Sequence, residues 1–208
     1  MDFVNIALAK GRLAENTLKM LTLQGITFPD YHPGSRKLIY ENELQKIRII
    51  FVKPSDVAIY VEKGAADLGV LGKDILMENE ANLYEVMDLG FGQCKFVVAA
   101  LRDYVDQPGK KIRVATKFPN VSRKYFHQLG RPIEVIKLNG SVELAPIIGL
   151  SDVIVDIVET GKTLQENGLI IISPICRVSA RLVANKVSFK TKMSHISRII
   201  EGLRQNAD

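Results

Sequence analysis

Apolar positions along this chain switch repeatedly between two spacings. Val4–Ala9 is almost wholly apolar, as a strand buried on both faces is, and Leu13, Thr17, Met20 and Leu21 then recur at helical intervals up to Gly25. The pattern predicts a strand, a turn at Lys10-Gly11-Arg12, and a helix over residues 13–24. Ile47–Val52 predicts a second strand, Ser55 a cap for a helix through Val57, Tyr60 and Val61 to Gly64, and residues 68–71 a short buried strand. Near Phe91-Gly92 the alternation restarts. Strands are expected at residues 95–101, 113–116, 134–138, Val153–Val158 and 169–173, with helical segments at 122–129 and 142–148. From about Val178 the chain is expected to cross back, adding a strand-like 181–187 and a helix with Ile196, Ile199, Ile200 and Leu203 on one face.

Strands alternating with helices imply an α/β fold whose mostly parallel sheets are covered on both faces. The restart and the return crossing imply two lobes, residues 1–92 plus 179–208 and residues 93–178. A ligand cleft between lobes joined by a double hinge follows from that organisation.

Composition narrows the function more by exclusion than by direction. With 208 residues, 47% hydrophobic and 25% charged, the chain can bury a sizeable core. It has no long uncharged apolar run and starts without a signal-peptide pattern, so a cytosolic protein is expected. Cys94 and Cys176 lie far apart in sequence and belong to no Cys/His cluster, which argues against a disulfide framework or a zinc site and makes Cys94 a small buried residue. The net charge of +5 and pI near 9.1 are spread along the chain. Polyanionic small substrates account for them as well as nucleic acid does.

Candidate chemistry concentrates in residues 143–168. Val153–Val158 is β-branched except for Asp156, and it runs into Glu159-Thr160-Gly161-Lys162-Thr163 before a short helical segment. Backbone N–H groups and two hydroxyls there suit an anion. Such a turn is either a phosphate cradle or an ordinary strand-to-helix turn closed by a capping threonine. Glu143, Asp156 and Glu159 favour the cradle, because a ribose diol beside a Mg²⁺-bound pyrophosphate needs hydroxyl acceptors and anion donors together. Gly161-Lys162-Thr163 also matches the end of a P-loop, but that motif requires glycine where Asp156 stands, and an acid there repels a triphosphate.

Residues 7–13 (AlaLeuAlaLysGlyArgLeu), 35–38 (SerArgLysLeu), 67–74 (AspLeuGlyValLeuGlyLysAsp) and the block from Glu143 to Leu164 together resemble the ATP phosphoribosyltransferases, over nearly the whole chain. The last block is the most specific; residues 67–74 are a pattern shared with two-lobed periplasmic-binding proteins. The resemblance implies a type II periplasmic-binding-protein-like fold and the short catalytic form of the enzyme. It implies transfer of a phosphoribosyl group from phosphoribosyl pyrophosphate to N1 of ATP, releasing pyrophosphate, with Mg²⁺ as cofactor held mainly by the substrate. It makes Arg12 and Arg36, with Lys10 beside them, the catalytic stabilisers of the departing pyrophosphate. Glu143 and Glu159 then hold ribose hydroxyls or hydrated Mg²⁺ with Asp156 behind them, and Thr160, Gly161, Lys162 and Thr163 grip the 5-phosphate. Lys53 and Asp74 fall on the ATP side, where their plain roles are a strand-end lysine and a cap for a helix beginning at Ile75. A regulatory subunit similar to histidyl-tRNA synthetase, in a hetero-octamer, and a homodimer when alone are the implied assemblies.

Adenine N1 is already a nucleophile at neutral pH, so the absence of a Ser/His/Asp or Cys/His arrangement is no objection. His32, His127 and His195 are expected to be surface or core residues. The alternative is a non-catalytic two-lobed module binding a small anion or amino acid, which the 67–74 pattern also fits.

Overall fold

The structure, a computed structural model, describes residues 2–205. The chain divides into two compact units, Met1–Gly92 with Ser179–Asp208, and Gln93–Val178.

In the first unit, β1 (Val4–Ala9), α1 (Arg12–Leu23), β2 (Ile39–Asn42), β3 (Ile47–Val52), α2 (Val57–Glu62), β4 (Leu68–Gly72), α3 (Lys73–Asn79) and β5 (Tyr84–Asp88) follow in order. The second unit runs β6 (Cys94–Leu101), β7 (Ile112–Thr116), α4 (Pro119–Gln128), β8 (Ile133–Lys137), α5 (Leu144–Ile147), β9 (Val153–Val158), α6 (Lys162–Glu166) and β10 (Leu169–Val178). The chain then re-enters the first unit as β11 (Ala180–Ala184), α7 (Lys186–Thr191) and α8 (Met193–Gln205). Among the described residues, the first sheet has six strands ordered β2-β3-β1-β4-β11-β5 and the second has five ordered β10-β6-β9-β7-β8. The ladders make β1, β3, β4 and β5 run one way in the first sheet, and β7, β8, β9 and β10 in the second. Both are mostly parallel α/β sheets, and two such units make the two-lobed type II periplasmic-binding-like architecture.

Burial on both faces explains why β1 is apolar everywhere except Asn5. Val4, Ile6 and Leu8 face a cluster with Leu18, Leu21, Ile196 and Ile200 of α1 and α8, while Ala7 and Ala9 face Val57, Ala58 and Val61 of α2. The second face is tight: a Cβ on Gly69 of β4 would stand 2.7 Å from Val61 Cγ2 and 3.0 Å from Val57 Cγ1. In the second unit, Val97, Ala99, Ala115, Ile154 and Val158 share a cluster with Val142, Ala145 and Leu164. Each fully buried aliphatic side chain of this kind contributes about 1.5–3 kcal/mol.

Four element-level expectations change. β2 and β5 are strands that the apolar pattern did not show, since their exposures alternate weakly at the sheet margins. Ser55 caps nothing; Pro54–Asp56 forms a single 3-10 turn and the Ser55 hydroxyl donates to Asp56 Oδ1 at 2.8 Å. The strand expected over 181–187 ends at Ala184, because Asn185 caps α7 with Oδ1 accepting from the Val187 and Ser188 N–H groups at 2.9 and 3.0 Å. The strand beginning at Leu169 runs on to Val178, carrying Pro174 at a register shift on the sheet edge, where no ladder donor is needed. That extension brings the cysteines onto neighbouring strands, Cys94 opposite Val178 and Cys176 opposite Phe96; both are half-buried, so Cys94 is not fully enclosed.

Candidate functional site

The parallel strands of the first unit end together. Ala9 of β1 pairs with Val52 of β3, and Leu8 pairs with both Phe51 and Val70. Lys10, Lys53 and Gly72-Lys73-Asp74 therefore leave the sheet along one edge, at the carboxyl ends of β1, β3 and β4. Strand order reverses there, which is where open α/β sheets take ligands.

Lys10 does not project freely from this edge. Its ammonium donates to the Ser35 carbonyl oxygen and lies 5.6 Å from the centre of the Phe51 ring. The loop it holds is fixed a second time, by Lys37 pairing with Asp30 and lying over the Tyr40 ring at 5.0 Å. Tyr31 closes the underside, edge-on to Tyr40 and stacked on Phe51. Between these two lysine anchors Arg36 is exposed and makes no side-chain hydrogen bond or ion pair among the described residues. Arg12, also exposed, opens α1 after Gly11 at φ 119°. Lys10 thus ties the turn bearing Arg12 to the loop bearing Arg36. Lys53 is exposed and its carbonyl accepts from Asp56 N–H at 2.9 Å. Asp74 lies in the first turn of α3, which starts at Lys73 rather than Ile75, with Gly72 as its uncapped N-cap.

In the second unit, strand alternation places Ile154, Asp156 and Val158 on the same face of β9. Ile154 and Val158 share their apolar cluster with Val142, Ala145 and Leu164, so Asp156 stands on the face that also carries the Glu143 turn and α6. Asp156 Oδ1 accepts from the Ile157 N–H at 2.9 Å. Glu143, half-buried just ahead of α5, makes no side-chain hydrogen bond among the described residues. β9 gives way to exposed Glu159 and Thr160, and Gly161 turns the chain at φ 79° into α6. The Thr160 hydroxyl accepts from Lys162 N–H at 3.3 Å, a local contact across the turn; Gly161, not a threonine, is the N-cap of α6, which has no side-chain cap. Lys162 lies 3.6 Å from Glu166 and Thr163 is exposed. Buried Thr116 links the neighbouring strand end, its hydroxyl donating to Val155 O at 2.7 Å and accepting from Phe118 N–H at 2.9 Å. No sequence signal marked Thr116, because a strand-end threonine is commonplace.

The twelve residues singled out from the sequence therefore form two sets. Lys10, Arg12, Arg36, Lys53 and Asp74 line one sheet edge of the first unit, and Glu143, Asp156, Glu159, Thr160, Gly161, Lys162 and Thr163 border the end of β9 in the second. His32 and His127 are exposed and His195 is half-buried.

The family model described as "HisG: ATP phosphoribosyltransferase" matches residues 53–205. The chain belongs to the ATP phosphoribosyltransferase family. An ATP phosphoribosyltransferase of Clostridioides difficile is 54% identical over 96% of both chains, and one of Caldanaerobacter subterraneus is 54% identical over 99% of this chain and 98% of its own. The solved ATP phosphoribosyl transferase (HisG:HisZ) complex from Thermotoga maritima contains a chain that superposes with a TM-score of 0.86 at 36% identity, covering 99% of this chain and 98% of that one. Family membership makes the chain a pentosyltransferase acting at the first step of histidine biosynthesis, and the binding-module alternative falls away. Among the described residues no helix is long and apolar enough to cross a membrane.

Proposed function

We propose that the two residue sets divide the reaction between them, the end of β9 gripping phosphoribosyl pyrophosphate and the Lys10–Arg36 edge serving ATP and the leaving group. Adenine N1 attacks the anomeric carbon of the ribose as the bond to pyrophosphate breaks, giving N1-(5-phosphoribosyl)-ATP. N1 brings its own lone pair, so the protein's task is to orient two anions and accept the charge on the departing oxygen. Arg36 and Arg12 absorb that charge. Lys10 acts on them by fixing the Ser35 carbonyl, as well as adding positive potential. Glu143 and Glu159 orient the ribose hydroxyls with Asp156 behind them, Thr160, Gly161, Lys162 and Thr163 receive the 5-phosphate, and Lys53 and Asp74 meet the nucleotide.

Mg²⁺ fits this residue set as a companion of the substrate. No group of three or more His, Cys, Asp or Glu among the described residues forms a metal cage, and Mg²⁺ is commonly held by one or two carboxylates together with substrate phosphates. Glu143 and Glu159 are the carboxylates that would hold it, and it would neutralise pyrophosphate charge. The T. maritima HisG:HisZ complex supports a HisZ-type regulatory partner for this chain; with that partner we propose a hetero-octamer, a homodimer when the chain is alone, and the cytoplasm as its place of work.

The observation that carries this proposal is Arg36, an exposed guanidinium without a side-chain partner held between two anchored lysines. Arg36→Ala should lower kcat by about 10²–10³-fold, on the order of 3–4 kcal/mol, in a pyrophosphate-release assay while the fold is kept. An unchanged kcat removes Arg36 from the mechanism.

A further inference from the structure

At the sheet end where β9 runs into the Glu159-Thr160-Gly161 turn, the neighbouring antiparallel strands present two cations. Lys95 of β6 lies opposite Val158 of β9 on one side and opposite Arg177 of β10 on the other. Opposed residues of an antiparallel ladder project to the same face. Lys95 and Arg177 therefore stand on the face that bears Asp156 and Val158, the face covered by α5 and α6. Both are exposed, and neither makes a side-chain hydrogen bond or ion pair among the described residues.

Three other strand arginines are treated differently. Arg48 faces Glu41 at 2.7 Å, Arg181 faces Asp88 at 2.9 Å, and Arg113 is in register with Glu134. Like charges directly opposed across a ladder destabilise it, and no packing requirement calls for them here. The opposite face at this position is filled by Phe96 and Val178, both buried. A cation facing a cation, with no acid opposite either in register and the same-face Asp156 two residues along β9 forming no ion pair with Lys95, is the arrangement expected where an anion completes the site.

The spacing identifies which anion. Val158 precedes Thr160 by two residues, so with about 3.3 Å per residue and about 4.8 Å between strands, Lys95 begins within roughly 8 Å of the Thr160 backbone. A four-carbon stem covers most of that gap, and the arginine one strand further out offers a fork suited to phosphate oxygens. We propose that Lys95 and Arg177 form an oligophosphate-binding pair beside the Thr160 turn, taking either the diphosphate of phosphoribosyl pyrophosphate or the triphosphate of ATP. This rests on the phosphoribosyl assignment of that turn.

Calorimetric titration of the full chain with Mg²⁺–pyrophosphate and, separately, Mg²⁺–ATP tests it, comparing wild type with the Lys95→Gln/Arg177→Gln double variant. The pair predicts a Kd at least tenfold weaker for one of the two ligands, a shallower salt dependence of that binding, and a Tm equal to or above wild type because a repulsion has been removed. Whichever ligand weakens identifies the source. Unchanged affinity for both, or no measurable wild-type binding of either, overturns the pair. A Tm that falls while affinity holds also overturns it, by showing a structural role. The two levels separate cleanly: Thr160→Val with an unaltered KM for phosphoribosyl pyrophosphate fails the turn assignment, whereas a weakened Thr160→Val beside an unaltered double variant fails this pair alone.

Discussion

Lys10, Arg12 and Arg36 show how one residue type takes different work from its surroundings. The sequence placed all three in basic loops and could not distinguish them, because side-chain contacts over 25 residues of separation leave no periodic trace. The structure separates them: Lys10 donates to the Ser35 carbonyl, and Arg36 is left with its guanidinium exposed. Glycine and threonine in the β9 turn were easier to read, since Gly161 adopts a φ of 79° that a side chain resists. Thr160 is the residue whose hydroxyl carries the phosphate assignment. Thr160→Val should raise the KM for phosphoribosyl pyrophosphate by about 10–100-fold, the loss of one hydrogen bond to a charged group, while the KM for ATP stays level. Equal rises in both constants would point to a distorted turn instead.

At the scale of elements, the sequence was most legible where burial is two-sided. Val153–Val158 was read with its final boundaries because both of its faces are covered, leaving Asp156 as a visible interruption. β2 and β5 went unread because they lie at sheet margins, where one face is wet and the apolar signal halves. The segment 181–187 reads as one strand because Val187 resumes the apolar pattern after Asn185-Lys186, and the pattern does not show that Asn185 ends a strand and caps a helix at once. The same tight layering gives a prediction for β4. Gly69→Ala would put a Cβ into Val57 and Val61, both on a packed helix, and should cost about 1–3 kcal/mol in denaturant unfolding. A neutral result would mean that α2 shifts freely despite its close approach to Gly69.

For the whole molecule, stability depends on pH through carboxylates held by a neighbouring cation. Asp152 lies next to Arg113, with Arg113 Nη2 2.7 Å from Asp152 Oδ1, and hydrogen bonding from that guanidinium holds the carboxyl below its ordinary value of 3.8. A carboxyl lowered in the folded state stabilises the fold above its unfolded pKa and loses that contribution as pH falls through the folded value. Asp152→Asn should therefore destabilise the protein by a constant amount above about pH 5, and the gap from wild type should close as pH falls below about 4. A gap that stays constant into strong acid would mean the loss comes from packing. Family and fold were readable from the motifs because phosphate-binding turns require particular residues at particular positions. The division of labour among the cations was not, since it depends on which carbonyl or acid each one meets.

The decisive measurement is mass spectrometry of the products after incubation with ATP, phosphoribosyl pyrophosphate and Mg²⁺, with and without a HisZ-type subunit. The account predicts phosphoribosyl-ATP and pyrophosphate in equal amounts. Consumption of phosphoribosyl pyrophosphate without that adduct, or no product even with the partner present, would contradict it.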